Sequence, residues 1–236
     1  MTQPRLTLPA LVSALALLAG CSTPPDYFHT LRPAAAPPSA AARDASRVLA
    51  IGPVSVPESL ARDEWVVRTG DTGVRVYDHE LWTQSLGADV AQALADYLNR
   101  GGLPDGLWAD AGPTGSGSGA DLEHAAPLRV RVQVLRFDSI LAPAPAVGDQ
   151  LRWTIECLPS NAALGPVDAG RYRVVRTAVR DAAEPAPAAA TGVEASQQGF
   201  DRVARAHSQT VRLVAEDVAA ALRASATERA QGCIGG

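Results

Sequence analysis

Apolar and polar positions change rhythm several times along this chain of 236 residues, and each rhythm predicts an element. Residues 48–56 are almost continuously apolar and stop at Pro57, the pattern of a strand buried on both faces and therefore central in a sheet. Ahead of them, Tyr27, Phe28, His29, Thr30 and Leu31 make a short aromatic strand candidate. Residues 65–68 and 74–77 flank Thr69-Gly70-Asp71-Thr72-Gly73, whose glycines allow a tight connection, so the two runs predict a hairpin. Across residues 80–99, Trp82, Leu86, Val90, Ala93, Leu94, Tyr97 and Leu98 recur at threes and fours, one helical stripe closed by Gly101 and Gly102. Leu128, Val130, Val132 and Val134 alternate with Arg129, Arg131 and Gln133, as in a half-buried strand, and the alternation slips at Leu135 and Phe137, which predicts a bulge. Residues 151–158 and 171–179 supply two more strands, read as antiparallel neighbours. Phe200, Val203, Ala204, His207, Val211, Val214, Val218 and Leu222 then form a second stripe, that of a long closing helix.

Strands in two groups, each followed by a helix, predict an α+β domain: one mainly antiparallel or mixed sheet with two long amphipathic helices packed on one face. Between these elements lie poorly apolar connectors at residues 32–46, 111–120 and 181–190, rich in Pro, Ala, Gly or Ser.

The first 20 residues follow a different logic. An apolar run of 13 residues, 6–18, follows Arg5 and is too short to span a bilayer, which takes about 20, so it reads as a secretory signal. It ends in Leu18-Ala19-Gly20-Cys21, where small residues fit an extended chain in a peptidase cleft and the Cys21 thiol is placed to take a diacylglycerol. Cleavage makes Cys21 the first residue, carrying two acyl chains through sulfur and a third on its amine; each buried methylene is worth about 0.8 kcal/mol, so the anchor is permanent. Ser22 occupies the place where an aspartate would retain the protein in the inner membrane, which favours the periplasmic face of the outer membrane. The expected organisation is a removed signal over 1–20, a lipidated N-terminus with connector over 21–46, one domain over 47–225 and a tail over 226–236.

All 21 basic residues are arginine, and loss of the leader, which holds Arg5 and no acid, takes the formal charge from −4 to −5. Such a balance argues against nucleic acid, which rewards a basic surface. Cys157 belongs to the inward alternation Leu151, Trp153, Ile155, Cys157 and reads as a buried free thiol; Cys233 sits in a Gly-rich tail, and a bridge between them is possible in an oxidising compartment but undirected by the pattern.

Candidate chemistry is sparse. Asp71-Thr72-Gly73 matches the aspartic-protease tripeptide, but a single copy in a turn is explained by the backbone preferences of Asp and Gly. Ser116 and Ser118 lack the Gly-x-Ser-x-Gly spacing of a nucleophile elbow. His29, His79, His124 and His207 show no metal-ligand spacing, and His207, on the last apolar stripe, reads as a core histidine. Arg129, Arg131, Arg152, Arg171 and Arg173 project from strands, where they protect against edge pairing or meet an acidic partner. No catalytic residue and no metal ligand is predicted, the chain reads as a non-enzyme, and no cofactor is called for beyond the diacylglycerol and N-acyl chain on Cys21.

In order and spacing, several of these residues resemble the auxiliary lipoproteins of ABC-type transport systems, the PqiC/YmbA family. The carried pattern is Cys21 followed by Tyr27-Phe28-His29-Thr30-Leu31, the apolar strand ending at Pro57 with Leu60 and Arg62 after it, Val66-Val67-Arg68, Glu80-Leu81-Trp82 with Leu86, Arg136-Phe137-Asp138, and the final helix. Two departures stand out: a Gly/Ser/Pro-rich insertion between Leu107 and Leu128, and Ser59 where the family carries an aromatic nearby. The resemblance implies an outer-membrane lipoprotein that works without catalysis beside MCE-domain proteins of the inner membrane and periplasm, moving lipid between membranes and maintaining the envelope. It implies partner contacts near Leu60, Arg62, Trp65, Arg68 and Trp82, and leaves contact with phospholipid and homo-oligomerisation open. The alternative class is a regulatory lipoprotein that reaches a cell-wall synthase, though only five residues separate Cys21 from Tyr27.

Overall fold

A computed structural model describes residues 24–33, 47–101, 103–104, 106–112, 128–157, 173–185 and 193–227. The predicted signal, Cys21, most of the first connector, the Gly/Ser segment with His124, Arg171 and the C-terminal tail with Cys233 lie outside them. In chain order the strands are β1 (Tyr27–His29), β2 (Arg47–Ser55), β3 (Glu64–Arg68), β4 (Val74–Trp82), β5 (Leu107–Asp110), β6 (Leu128–Ile140), β7 (Ala146–Cys157) and β8 (Arg173–Pro185). The two helices are α1 (Leu86–Gly101), between β4 and β5, and α2 (Val193–Thr227), after β8.

The class is α+β, as the pattern predicts, but the strands divide between two sheets, one of order β1-β4-β3 and one of order β5-β2-β6-β7-β8. β2 is almost wholly apolar because it lies inside the larger sheet, parallel to both β5 and β6, while β6, β7 and β8 form an antiparallel meander. One face of that sheet carries Leu128, Val130, Val132, Leu151, Trp153 and Ile155, all buried under α1 and α2. Arg129, Arg131, Gln133, Arg152 and Thr154 alternate onto the other face; there Arg129 and Arg131 approach Glu156 at 2.5 and 3.8 Å, and Arg152 donates to Gln133 at 3.1 Å.

The hairpin β3–β4 forms as predicted around its glycine turn, where Gly70 takes φ +104° and the Thr69 amide donates to the Gly73 carbonyl at 2.9 Å. A side chain at Gly73 would place its Cβ 2.6 Å from Thr69 Oγ1, so Asp71-Thr72-Gly73 serves the turn.

Several expectations are corrected, among them the connector expected over 181–190, whose first five residues belong to β8. Residues Glu80, Leu81 and Trp82 are strand, not the start of the first helix, because β1 pairs with them in parallel register, Tyr27 with Glu80 through His29 with Trp82. The helix itself begins at Leu86. β5, four residues at the head of the insertion, is too short for its alternation to stand out in sequence, yet it completes the sheet beside β2. Cys157 is buried as predicted but is disulfide-bonded, with its partner outside the described residues, and so is no free thiol. The predicted bulge in β6 is present, a register shift between Val134 and Arg136.

The two sheets are joined by aromatic rings. Trp65 of β3 stacks on Trp82 of β4 with centroids 4.1 Å apart, and Phe200 of α2 packs edge-on against Trp65 at 5.4 Å and Tyr77 at 4.9 Å. On the larger sheet, Phe137 stacks on His207 of α2 at 3.8 Å. Burying rings of this size at one junction is what holds a small sheet that could not stand alone.

Candidate functional site

The β6 bulge has a spatial consequence. Where the register slips, Leu135 and Arg136 turn toward the hairpin, and between them and β3 opens a groove of about 500 Å³. Pro57, Leu60, Val66, Val74, Val76 and Leu135 give it apolar walls, and Arg62, Arg68 and Arg136 bring three guanidiniums to it against one carboxylate, Asp138. Val74 is 64% exposed, a large apolar side chain left to solvent at the groove.

The three arginines are held differently. Arg68 donates to the Asp71 carbonyl at 3.0 Å and to Asp138 at 3.2 Å, while its Nε, shielded from solvent, has no hydrogen-bond partner. Arg136 donates to the Gly148 carbonyl at 3.1 Å and lies 3.8 Å from Asp138. Arg62 is exposed, and no group among the described residues pairs with it. The groove therefore carries an excess of positive charge beside apolar walls, a combination suited to an apolar group bearing an anion.

Of the five residues expected at a partner surface, Leu60, Arg62 and Arg68 converge on this groove. Trp65 and Trp82 do not: at 1% and 6% exposure they are core residues behind it, buried by the stacking that joins the sheets, and they are corrected from contact residues to supports of the wall.

Behind the groove lies a polar chain that the sequence did not reveal. The Trp65 indole N–H donates to Ser139 Oγ at 2.8 Å, Ser139 Oγ is 2.8 Å from His207 Nε2, and His207 Nδ1 is 2.8 and 2.9 Å from the two oxygens of Asp149. Asp149 fixes the proton on Nδ1, leaving Nε2 to accept from the serine hydroxyl. The order Ser, His, Asp is that of a hydrolase triad. Here, however, Ser139 is 2% exposed, His207 and Asp149 are 0% exposed, and the serine oxygen already accepts from the indole, so the geometry is that of a satisfied core network pinning α2 to β6 and β7. The residues come from positions 65, 139, 149 and 207, with no local spacing to betray them.

A second polar cluster fastens the N-terminal segment. His29 Nε2 lies 2.6 Å from Glu80 in a buried pair, and Asp89, in the first turn of α1, accepts from the Leu31 amide at 2.7 Å and the Thr30 hydroxyl at 2.8 Å. Burial pushes the Asp89 carboxyl above its ordinary value; hydrogen bonds from Leu31, Thr30 and Gln84 and the charge of Arg32 pull the other way. Ser208 of α2 completes the clasp by donating to the Leu31 carbonyl at 2.8 Å. Among the described residues, no group of three or more His, Cys, Asp or Glu side chains is placed to hold a metal ion, and no helix is long and apolar enough to cross a membrane.

Comparison with known proteins agrees with this architecture. The chain resembles the crystal structure of an uncharacterized protein, at 16% identity over 83% of this chain and 99% of that one, with a TM-score of 0.52. It also resembles protein XCC0632 from Xanthomonas campestris, at 18% identity over 86% of this chain and 97% of that one, again with a TM-score of 0.52. At such identities the likeness is one of fold. No curated protein matches the chain. The family model for the ABC-type transport auxiliary lipoprotein component matches residues 29–219, which run from the buried histidine of β1 to within a few turns of the end of α2. The chain belongs to that family, the lipoprotein auxiliary components of ABC-type transport systems.

Proposed function

We propose that this lipoprotein is the docking subunit of an MCE-type system that carries lipid between the two membranes of the envelope and maintains envelope integrity. Acylated at Cys21 and tethered on the periplasmic face of the outer membrane, it acts by binding and positioning, with no bond broken. An aqueous gap opposes the crossing of acyl chains by about 0.8 kcal/mol for each methylene exposed, so lipid traffic needs a sheltered route, and a tethered domain serves to hold the end of that route at its destination. MCE-domain proteins are the partners in this reading.

The observation that supports it is the groove beside Leu60, Arg62 and Arg68, with apolar walls and a guanidinium that no group among the described residues pairs with. Its charge complements a partner segment that presents apolar side chains flanked by carboxylates. Docking there asks little rearrangement, because the walls are strands and the rim arginines Arg68 and Arg136 are already positioned.

Photo-crosslinkers placed at Leu60 and Arg62 in whole cells test the reading. The expected product joins this chain to an MCE-domain protein, and Leu60→Asp should lower co-purification of that partner at least tenfold while leaving the melting temperature within a few degrees. Labelling of phospholipid would move the role from docking to direct conduit. Capture of a cell-wall synthase would replace transport by regulation.

A further inference from the structure

Phe28 is 62% exposed and Tyr27 38% exposed, and they are consecutive in β1. The other large apolar side chains exposed among the described residues, Val74, Val174 and Val179, are elsewhere, the first in the groove and the others on β8. A phenylalanine left open to water calls for an explanation when the histidine beside it is 7% exposed. The strand alternation supplies the local reason: His29 points into the aromatic junction against Trp65, so Phe28 must point outward. β1 lies at the edge of the three-stranded sheet, and in its register Phe28 stands beside Leu81, itself half-buried.

We infer that Phe28 is a foot that inserts into the headgroup region of the bilayer carrying the lipid anchor, and that this second contact sets how the domain stands on its membrane. The inference rests on acylation of Cys21 as read above. Five residues separate Cys21 from Tyr27, so even fully extended the chain places the Tyr27 Cα no more than about 21 Å from the Cys21 Cα. Pro24 and Pro25 stiffen that spacer. The anchor thus holds the Phe28 ring within reach of the interface, where an apolar ring is buried at the boundary between headgroups and acyl chains. The clasp of His29 on Glu80 and of Asp89 on Leu31 makes the foot rigid with the domain: tilting the foot tilts both sheets. Asp26, next in sequence, is hydrogen-bonded to His79 at 2.8 Å.

The test uses the full mature chain, acylated and reconstituted in vesicles of phosphatidylethanolamine and phosphatidylglycerol. Phe28→Trp adds an emitter at the foot; of the four native tryptophans Trp65, Trp82 and Trp153 are buried and Trp108 on β5 is half-buried, so both samples carry Trp108→Phe. Phospholipids brominated near the headgroup should quench the added emission at least twofold more than that of the protein retaining Phe28, with no change between low and high salt. Quenching by aqueous iodide, with none by bromolipid, overturns the foot. Shielding from both quenchers means that protein covers Phe28, and overturns it equally. Phe28→Ser should keep the melting temperature and release the orientation, seen as broadened distances from the bilayer to a nitroxide in the hairpin turn; an unchanged distribution counts against the proposal. Mass spectrometry of the same sample separates the two readings: a chain lacking acyl mass removes the anchor on which the foot depends, whereas an acylated chain with a water-exposed Phe28→Trp removes the foot alone.

Discussion

Single atoms decide much in this molecule, and Ser139 Oγ is the plainest case. It accepts from the Trp65 indole and meets His207 Nε2, so Ser139→Ala strands a buried donor and a buried acceptor at once. Leaving such groups unpaired costs about 1–3 kcal/mol, and the expected result is a lower urea midpoint at unchanged slope. No loss of stability would mean that the chain of hydrogen bonds is not holding α2. Asp89 makes a sharper, pH-dependent case. Its carboxyl is raised by burial, so over the window just above the ordinary aspartate value of 3.8 the folded protein keeps a proton that the unfolded chain has released. Its contribution to stability is therefore full below 3.8 and is lost as the pH rises through the folded value. Asp89→Asn cannot titrate, so the stability of wild type relative to this variant should decline across that window and then level off. Urea melts at a series of pH values read the sign, and a difference that grows with pH would assign Asp89 the opposite shift.

Elements were legible in sequence to the extent that their burial was periodic. The alternation of β6 predicted both its inward face and the slip at Leu135, and the stripe of α2 predicted the helix from Phe200 to Leu222. What the pattern could not carry was pairing between distant segments. Trp82 fits a helical stripe as well as a strand, and pairing decides for strand: β1, some 50 residues upstream, lies on one side, and on the other the Trp82 amide donates to the Asp63 carbonyl at 2.8 Å. For the same reason the aromatic residues near the groove read as contact residues when two of them are core: exposure of a tryptophan depends on what packs over it, and Phe200 comes from a helix more than 100 residues away. The groove was half legible, because Leu60, Arg62 and Arg68 lie close in sequence whereas Leu135 and Arg136 reach it from β6. If Phe200 is the ring that fastens the small sheet, Phe200→Ala should cost about 3–5 kcal/mol, among the largest single effects in the domain. Hydrogen exchange should show the amides of β3 and β4 losing protection before those of β6 and β7.

At the scale of the whole molecule, the N-terminal segment and the two sheets behave as one unit because the clasp at Leu31 touches both helices, through Asp89 of α1 and Ser208 of α2. Tension on an anchor at Cys21 would therefore be delivered into the core instead of peeling off a loose strand. The disulfide at Cys157 adds a constraint at the opposite side of the larger sheet, on the last residue of β7. The chain has three cysteines, so the partner is Cys21 or Cys233. A thioether to diacylglycerol consumes the thiol of Cys21 and leaves Cys233, whose link to Cys157 would close a loop spanning β8 and the whole of α2. Closing a loop of that length restricts the unfolded chain by an amount worth about 4 kcal/mol in the chain-entropy account. The expected outcome is a peptide joining Cys157 to Cys233 in a non-reducing digest of acylated protein, and a fall of several degrees in melting temperature for Cys157→Ala, matched by Cys233→Ala. A digest that instead joins Cys157 to Cys21 would overturn more than the bridge, for a cysteine held in a disulfide has no sulfur left to carry the membrane anchor.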